Sequence, residues 1–457
     1  MVGAEFMTSK NQHEEHLSVL ADVLAEAKKG GADQADALVV TSDSLGVSCR
    51  LGAMEDLERS EGTDLGLRVL IGKQQAVVST SDLSATSIRE LSQRALDMAR
   101  HAPEDPWCGL ADESDLTQSF PTDLDLFDPT LPDAAGLFET AKTIEDAARS
   151  VEGITNSEGA SASWGQASVA LMTSHGFAGS YQASSQSLGV SVIAGEGTGM
   201  ERDYEYASAR HMEDLDSPEE IGRTASNKTL RRLNPQNHET CKVPVIFDPR
   251  VGASLLGHLS GAINGASVAR GTSFLKDAMG TQIFAEGINI IDDPLRTRGL
   301  RSKAFDGEGV ATRISNVVDQ GHLRSWFLES STARQLGLPL TGSASRGTSS
   351  VPGAGATNLY MAAGDVSPEE LMSDIQDGFY VTELIGMGVN GVNGDYSRGA
   401  SGFWIENGKI GGPVSGMTIA GNLKDMYLNL TPADDLKFKY GTNVPTLRLE
   451  GLTLAGA

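Results

Sequence analysis

The stretch Ser254–Val268, "SLLGHLSGAINGASV", reads as an apolar helix that carries a single imidazole, His258. Histidine titrates near neutrality and ligates metals, so this side chain suits a general base, a metal ligand or a hydrogen-bonded core group. At 100° per residue Val251, Leu255, His258 and Ala262 share one stripe beside Leu259, which turns His258 toward the core or a cleft. A lone histidine on such a stripe is more often structural than catalytic.

Other candidate chemistry is weaker. "HEEH" at His13–His16 spaces its histidines at i and i+3, whereas the zincin pattern HExxH needs i and i+4 on one helix face, so a solvated helix face is expected there. His238 and Cys241 in "NHETC" have no second pair at ligand spacing and read as strand-edge residues. "GMGVNG" (386–391) matches GxGxxG, but a hairpin-like segment follows it, and a dinucleotide site requires a helix whose N-terminus receives the pyrophosphate. "GASGF" and "GTSSV" lack the strand-to-helix setting of a serine nucleophile, and no GxxxxGK[ST] exists.

The elements that position these residues fall into two halves. Residues 11–29 place Leu17, Leu20, Val23, Leu24 and Ala27 at helical spacing and stop at Gly30-Gly31. Short Val- and Leu-rich runs then predict a meander of strands. Helices follow over 84–101, capped by Ser84 or Ser87, and over 134–150, and two more strands complete an α+β N-terminal domain over residues 7–232. Met1–Phe6, ahead of Met7, read as an added leader. A β-rich domain is expected over 233–457, with Asn407-Gly408 as its clearest hairpin turn. Two helices interrupt it, the His258 stretch and 367–377, where Ser367, Pro368 and Glu370 form a capping box. The segment 341–365 is too long and polar for a routine connection, which points to function or mobility.

The 457 residues carry 61 Asp and Glu against 36 Lys and Arg, a net charge of −25. Such a field repels phosphate backbones, so nucleic acid is an unsuitable partner. Cys49, Cys108 and Cys241 are odd in number and far apart, which fits a reducing compartment, and the cytoplasm is expected. No long apolar run suggests a membrane partner.

The motifs "LLGHLSGAINGASVARGTSFL", "FDGEGVAT", "TARQLGLPLTG", "VTELIGMGVN", "NGDYSRGASGFWIENGKI" and "PVSGMTIAGNLKDM" resemble the PmbA/TldE branch of the TldD/PmbA family. The resemblance implies an N-terminal α+β domain followed by a β-rich, barrel-like domain. It further implies a cytoplasmic zinc peptidase built as a heterodimer with a TldD-type subunit, acting on small unfolded peptides, including peptide-antibiotic precursors. In TldD-type chains the corresponding helix bears HExxxH. That motif lays its first His on Gly257, its Glu on His258 and its second His on Ala262, and no Cys follows Cys241 to supply a further ligand. The resemblance therefore implies a metal-free chain with no catalytic residue of its own, zinc being expected in the partner.

Under that reading His258, Asp395, Tyr396 and Arg398 are candidate cleft or interface residues, with sheet edges available for strand addition by a peptide. The alternative for them is structural: an Asp395–Arg398 local pair and a packed Tyr396. Two other functions stay open, a non-enzymatic peptide-binding homodimer and a self-sufficient hydrolase using His258 as general base.

Overall fold

A computed structural model describes the backbone of residues 9–456 and side chains from His13 onward. The leader expected at Met1–Phe6 lies outside the described residues. Helix α1 (Ser9–Lys29) precedes long strands β1 (Gln34–Arg50), β2 (Ala53–Ile71) and β3 (Gln74–Thr80), then helices α2 (Ala85–His101) and α3 (Ala134–Arg149). Strands β4 (Ile154–Thr173), β5 (Ala178–Ala194) and β6 (Glu201–Ala209) and helix α4 (Pro218–Arg231) follow. All six strands form one antiparallel sheet in the order β3-β2-β1-β4-β5-β6.

Strand alternation gives this sheet two jobs. Odd residues of β1 point at the helices: Ala37 and Val39 pack under α1 and α2, and Leu45, Val47 and Cys49 under α3 and α4. Even residues point the other way. There Leu38 of β1 joins Leu171 and Phe177 against Ala304, Phe305 and Val310 of the C-terminal half, with the Phe177 and Phe305 rings 4.9 Å apart.

The same even face carries a buried ion cluster. Asp36 lies across from Arg68 in the β1/β2 register, accepts from its Nε at 2.7 Å and forms an ion pair with its Nη2 at 2.5 Å. Arg346 pairs with the other oxygen of Asp36, and all three side chains are at most 4% exposed. Arg346 comes from the polar segment 341–365, which packs down between the two halves. At Gly66 of β2 the chain passes so close to the Thr348 carbonyl that a Cβ would collide with backbone. Gly66→Ala is expected to cost about 1–3 kcal/mol, read as a lowered urea midpoint. Gly62→Ala on the same strand, whose methyl meets nothing nearer than Ser42 Oγ at 3.7 Å, is the matched substitution that leaves the midpoint in place.

The C-terminal half is built on an eight-stranded, barrel-like sheet, with Val245–Phe247, Asp377–Ile385, Asp395–Glu406 and Lys409–Asn422 as consecutive neighbours. A smaller five-stranded sheet includes Ile290–Asp292 and Ser315–Asp319. Helix α5 (Pro249–Ala262) has Asp248 as N-cap and Pro249 in its first turn, and seats Leu255, Leu256 and Leu259 in the main core. Asn407 and Gly408 both take positive φ, as the hairpin requires. No helix among the described residues is long and apolar enough to cross a membrane.

Several expectations are corrected. The His258 stretch is not one helix: α5 stops at Ala262, and Asn264 caps a separate turn over Gly265–Ala269. The helix expected over 367–377 is only Pro368–Met372, because strand pairing takes over at Asp377. Three further short helices, Gly265–Ala269, Ser330–Leu336 and Leu423–Leu428, interrupt the β-rich half. Segment 341–365 is not a free loop along its whole length: Arg346 and Thr348 pack it against β1 and β2 of the N-terminal half. In "HEEH" only Glu14 and Glu15 are exposed; His16 is buried and His13 half-buried, because i and i+3 continue the Leu17–Leu20 stripe. Residues 53–63 of β2 form strand although their side chains are almost all exposed, so alternation gave no signal for them.

Candidate functional site

A pocket of about 320 Å³ opens on the solvent side of α5. Its floor is the helix at Gly257, His258 and Gly261; beyond either glycine a Cβ would meet nothing within 4 Å. Its wall is the loop 386–394, which joins the Asp377–Ile385 and Asp395–Glu406 strands and folds back as a strap. Gly388 holds the strap down: its carbonyl accepts from Ser397 N at 2.7 Å, and a Cβ there would run into the Ser397 carbonyl. Phe274 N donates to Gly391 O at 2.9 Å and ties the other end. The dinucleotide-like glycines thus serve a hairpin strap, consistent with the absence of a following helix.

Tyr396 and Arg398, two residues apart on one strand, project to the same side, toward α5. Tyr396 is 2% exposed and meets the His258 ring edge-on at 6.1 Å between centroids. Its hydroxyl has no hydrogen-bond partner, and burial pushes the phenol up to about 12, so it remains a proton donor at neutral pH. Nε2 of His258 is likewise buried without a partner. Burial, reinforced by the Arg398 cation, lowers the imidazole pKa and keeps the ring neutral. Arg398 lines the pocket, its Nε is buried and unpartnered, and its Nη2 makes one long 3.4 Å bond to Leu384 O.

Three of the four candidates from the sequence therefore converge. Asp395 does not join them. It points off the opposite side of the strand, exposed, and accepts from Asn393 Nδ2 at 2.7 Å and Asn422 Nδ2 at 3.1 Å. The local Asp395–Arg398 pair does not form. His238 and Cys241 sit at the sheet edge, the ring stacked on Trp404 at 3.9 Å and the cysteine paired with Leu454. The strap residues Met387 and Val389 and the helix residues Gly257 and Gly261 are pocket residues that the sequence did not reveal. The open face of α5 was legible as two glycines four apart, had that spacing been read as missing side chains.

The site's residues do not fit a catalytic zinc ion. Such an ion takes three protein ligands and one open position, whereas the α5 register offers one imidazole, flanked by Gly257 and Ala262, which bear no ligand atom. Among the described residues no three His, Cys, Asp or Glu side chains gather as a metal site.

Comparison with known proteins matches residues 35–99, 126–233 and 240–456 to, respectively, domain 1, the central domain and the C-terminal domain of the PmbA/TldA metallopeptidases. The chain is 39% identical to "Metalloprotease PmbA" of Escherichia coli O157:H7, covering 94% of each chain. It is 36% identical to the "Metalloprotease PmbA homolog" of Haemophilus influenzae, covering 98% of this chain and 97% of that one. A crystal structure from Bacteroides thetaiotaomicron, of a protein whose name refers to modulation of DNA gyrase, superposes with a TM-score of 0.90 at 26% identity over 98% of this chain and all of the other. TldE of Thermococcus kodakarensis shares the fold at a TM-score of 0.85 and 21% identity, over 96% of this chain and all of that one.

Proposed function

Because the chain belongs to the PmbA/TldD metallopeptidase family, we propose that it is the PmbA/TldE-type subunit of a cytoplasmic zinc peptidase whose metal resides in a TldD-type partner bearing HExxxH. The observation that carries this reading is the register of α5. The resemblance lays the two histidines of the partner type's metal helix on Gly257 and Ala262 and its glutamate on His258, and neither Gly257 nor Ala262 bears a ligand atom. A catalytic zinc ion takes three protein ligands, and the α5 register offers it one imidazole.

The chain then contributes to proteolysis through binding and support. Its pocket, strap and sheet edges hold unfolded peptide substrates, peptide-antibiotic precursors among them, while the partner supplies the reaction. The pocket keeps its shape because α5 is seated in the core and the strap is tied by backbone hydrogen bonds at Gly388 and Gly391.

The test is reconstitution. The purified chain supplied with zinc is expected to leave a labelled unstructured peptide intact and to retain no stoichiometric metal. Mixed with a TldD-type chain, it raises cleavage above that of the partner alone. No gain over the partner sinks the subunit reading. If the isolated chain cleaves and His258→Ala abolishes that cleavage, a self-sufficient hydrolase replaces it.

A further inference from the structure

We propose that the pocket between α5 and the 386–394 strap is a carboxylate-acceptor subsite for peptides, in which Arg398 pairs with the anion and His258 and Tyr396 donate from behind it. This rests on the reading of the chain as the peptide-holding member of its complex, and names the group that its pocket takes.

Three observations converge. First, two residues that line the pocket carry a buried polar atom without a hydrogen bond, Nε2 of His258 and Nε of Arg398, and the Tyr396 hydroxyl, outside the lining but packed against the His258 ring, has none either. Buried donors in native structures are nearly always satisfied, so an unsatisfied set gathered at a pocket calls for an acceptor from outside. Second, Arg398 is the only charged residue among those lining the pocket. In a chain with 61 acidic and 36 basic residues, a pocket that holds a guanidinium and no carboxylate is complementary to an anion. One cation balances a monoanion. A phosphate dianion would leave uncompensated charge in the field of a −25 protein. Third, apart from Ser267 and Thr272 the remaining lining is apolar: Phe274, Met387, Val389 and Leu423 flank the polar corner, and Met387 on the strap is 93% exposed. An unsupported, solvent-facing methionine beside a pocket is suited to close over an aliphatic or aromatic side chain.

The ligand that satisfies all three is a peptide whose carboxylate neighbours an apolar side chain. Two sources share that chemistry, a free C-terminus ending in an apolar residue and an internal Asp or Glu beside one. A cavity of about 320 Å³ is at the small end of ligand pockets, sized for the end of a peptide rather than a folded domain.

The test uses the isolated full chain and fluorescently labelled hexapeptides ending in Leu, read by polarisation. The free acid is expected to bind, and its C-terminal amide to bind about ten- to a hundredfold more weakly, the range for losing hydrogen bonds to a charged group. Arg398→Gln should weaken the free acid by a similar factor and leave the amide unchanged, while Arg398→Lys restores part of the difference. Amidated peptides with an internal Glu beside Leu distinguish the two sources: recovered, Arg398-dependent binding assigns the side-chain carboxylate, and no recovery assigns the terminus. His258→Gln, which keeps a donor, changes affinity less than His258→Phe. Unchanged melting of each variant separates these effects from misfolding. Equal binding of acid and amide, an affinity that ignores Arg398, or no binding of any peptide up to 1 mM overturns the subsite. Partner-dependent cleavage that persists in Arg398→Gln with such a result leaves the subunit reading intact, so the two failures are told apart.

Discussion

Asp36→Asn is expected to lower the stability of the folded chain by about 3–5 kcal/mol, the range for breaking a buried ion pair by removing one partner. Asp36 is the common ion-pair partner of two arginines, Arg68 from the neighbouring strand and Arg346 from the segment that packs between the two halves. Burial already lowers the pKa of both guanidiniums, Arg346 to about 9, and its Nε and Nη2 have no other partner. With the carboxylate gone, Arg346 stays out of water with no counter-charge, and Arg68 keeps only the more distant field of Glu308 and Glu329. The loss is read as a drop in urea midpoint at constant slope. Because Arg346 anchors 341–365, it should be accompanied by new protease cleavage in Ser343–Val351. Arg59→Ala, which removes an exposed pair with Glu61 at 2.6 Å, gives no resolvable change. Equal effects of the two substitutions would show that the cluster does not hold the halves together.

The second large effect concerns pH. Glu308 is 4% exposed, and burial pushes its carboxyl up to about 7 even though the Arg68 cation and the Ser330 N–H and hydroxyl favour the charged form. An unfolded chain ionises this group near its ordinary value of 4.5. Between pH 4.5 and 7 the unfolded state therefore loses a proton that the folded state keeps, and the stability contributed by Glu308 is full below that window and lost as pH rises through about 7. The whole loss is on the order of 3 kcal/mol. Asp306 and Asp292, both pushed up to about 6 by burial, tilt the curve in the same direction. Glu308→Gln removes only its own share. Stability measured at pH 4.5 and pH 8 should thus show wild type falling, relative to Glu308→Gln, by that amount. Parallel curves for the two proteins would mean that Glu308 ionises normally in the fold.

These two effects sit where sequence reading had least purchase. Asp36, Arg68 and Arg346 lie in three separate segments, and nothing in the local pattern around Arg346 distinguishes it from the many polar residues of 341–365. The segment's length suggested function or mobility, and its burial became legible only once the even face of the β1/β2 sheet was seen to need a cover. The charged strand Ala53–Thr63 hid for the opposite reason, since with neither face buried it has no alternation to detect.

By contrast, much of the frame followed from residue order alone. Helical spacing of Leu20, Val23 and Ala27 fixed the inner face of α1, Asn407-Gly408 fixed a hairpin, and the C-terminal motifs carried the family. The sequence also determined what α5 lacks, because Gly257 and Ala262 have no atom with which to ligate, whatever the fold does with them. The tertiary structure decided what α5 has instead. It separated Asp395 from Tyr396 and Arg398 by the two-residue period of a strand, brought the latter pair against His258 from a distant strand, and bent a glycine strap over all three. A side chain's type sets the chemistry it can do, but which donors are left unsatisfied around one pocket depends on contacts between segments far apart in the chain, and only the packed molecule contains those contacts.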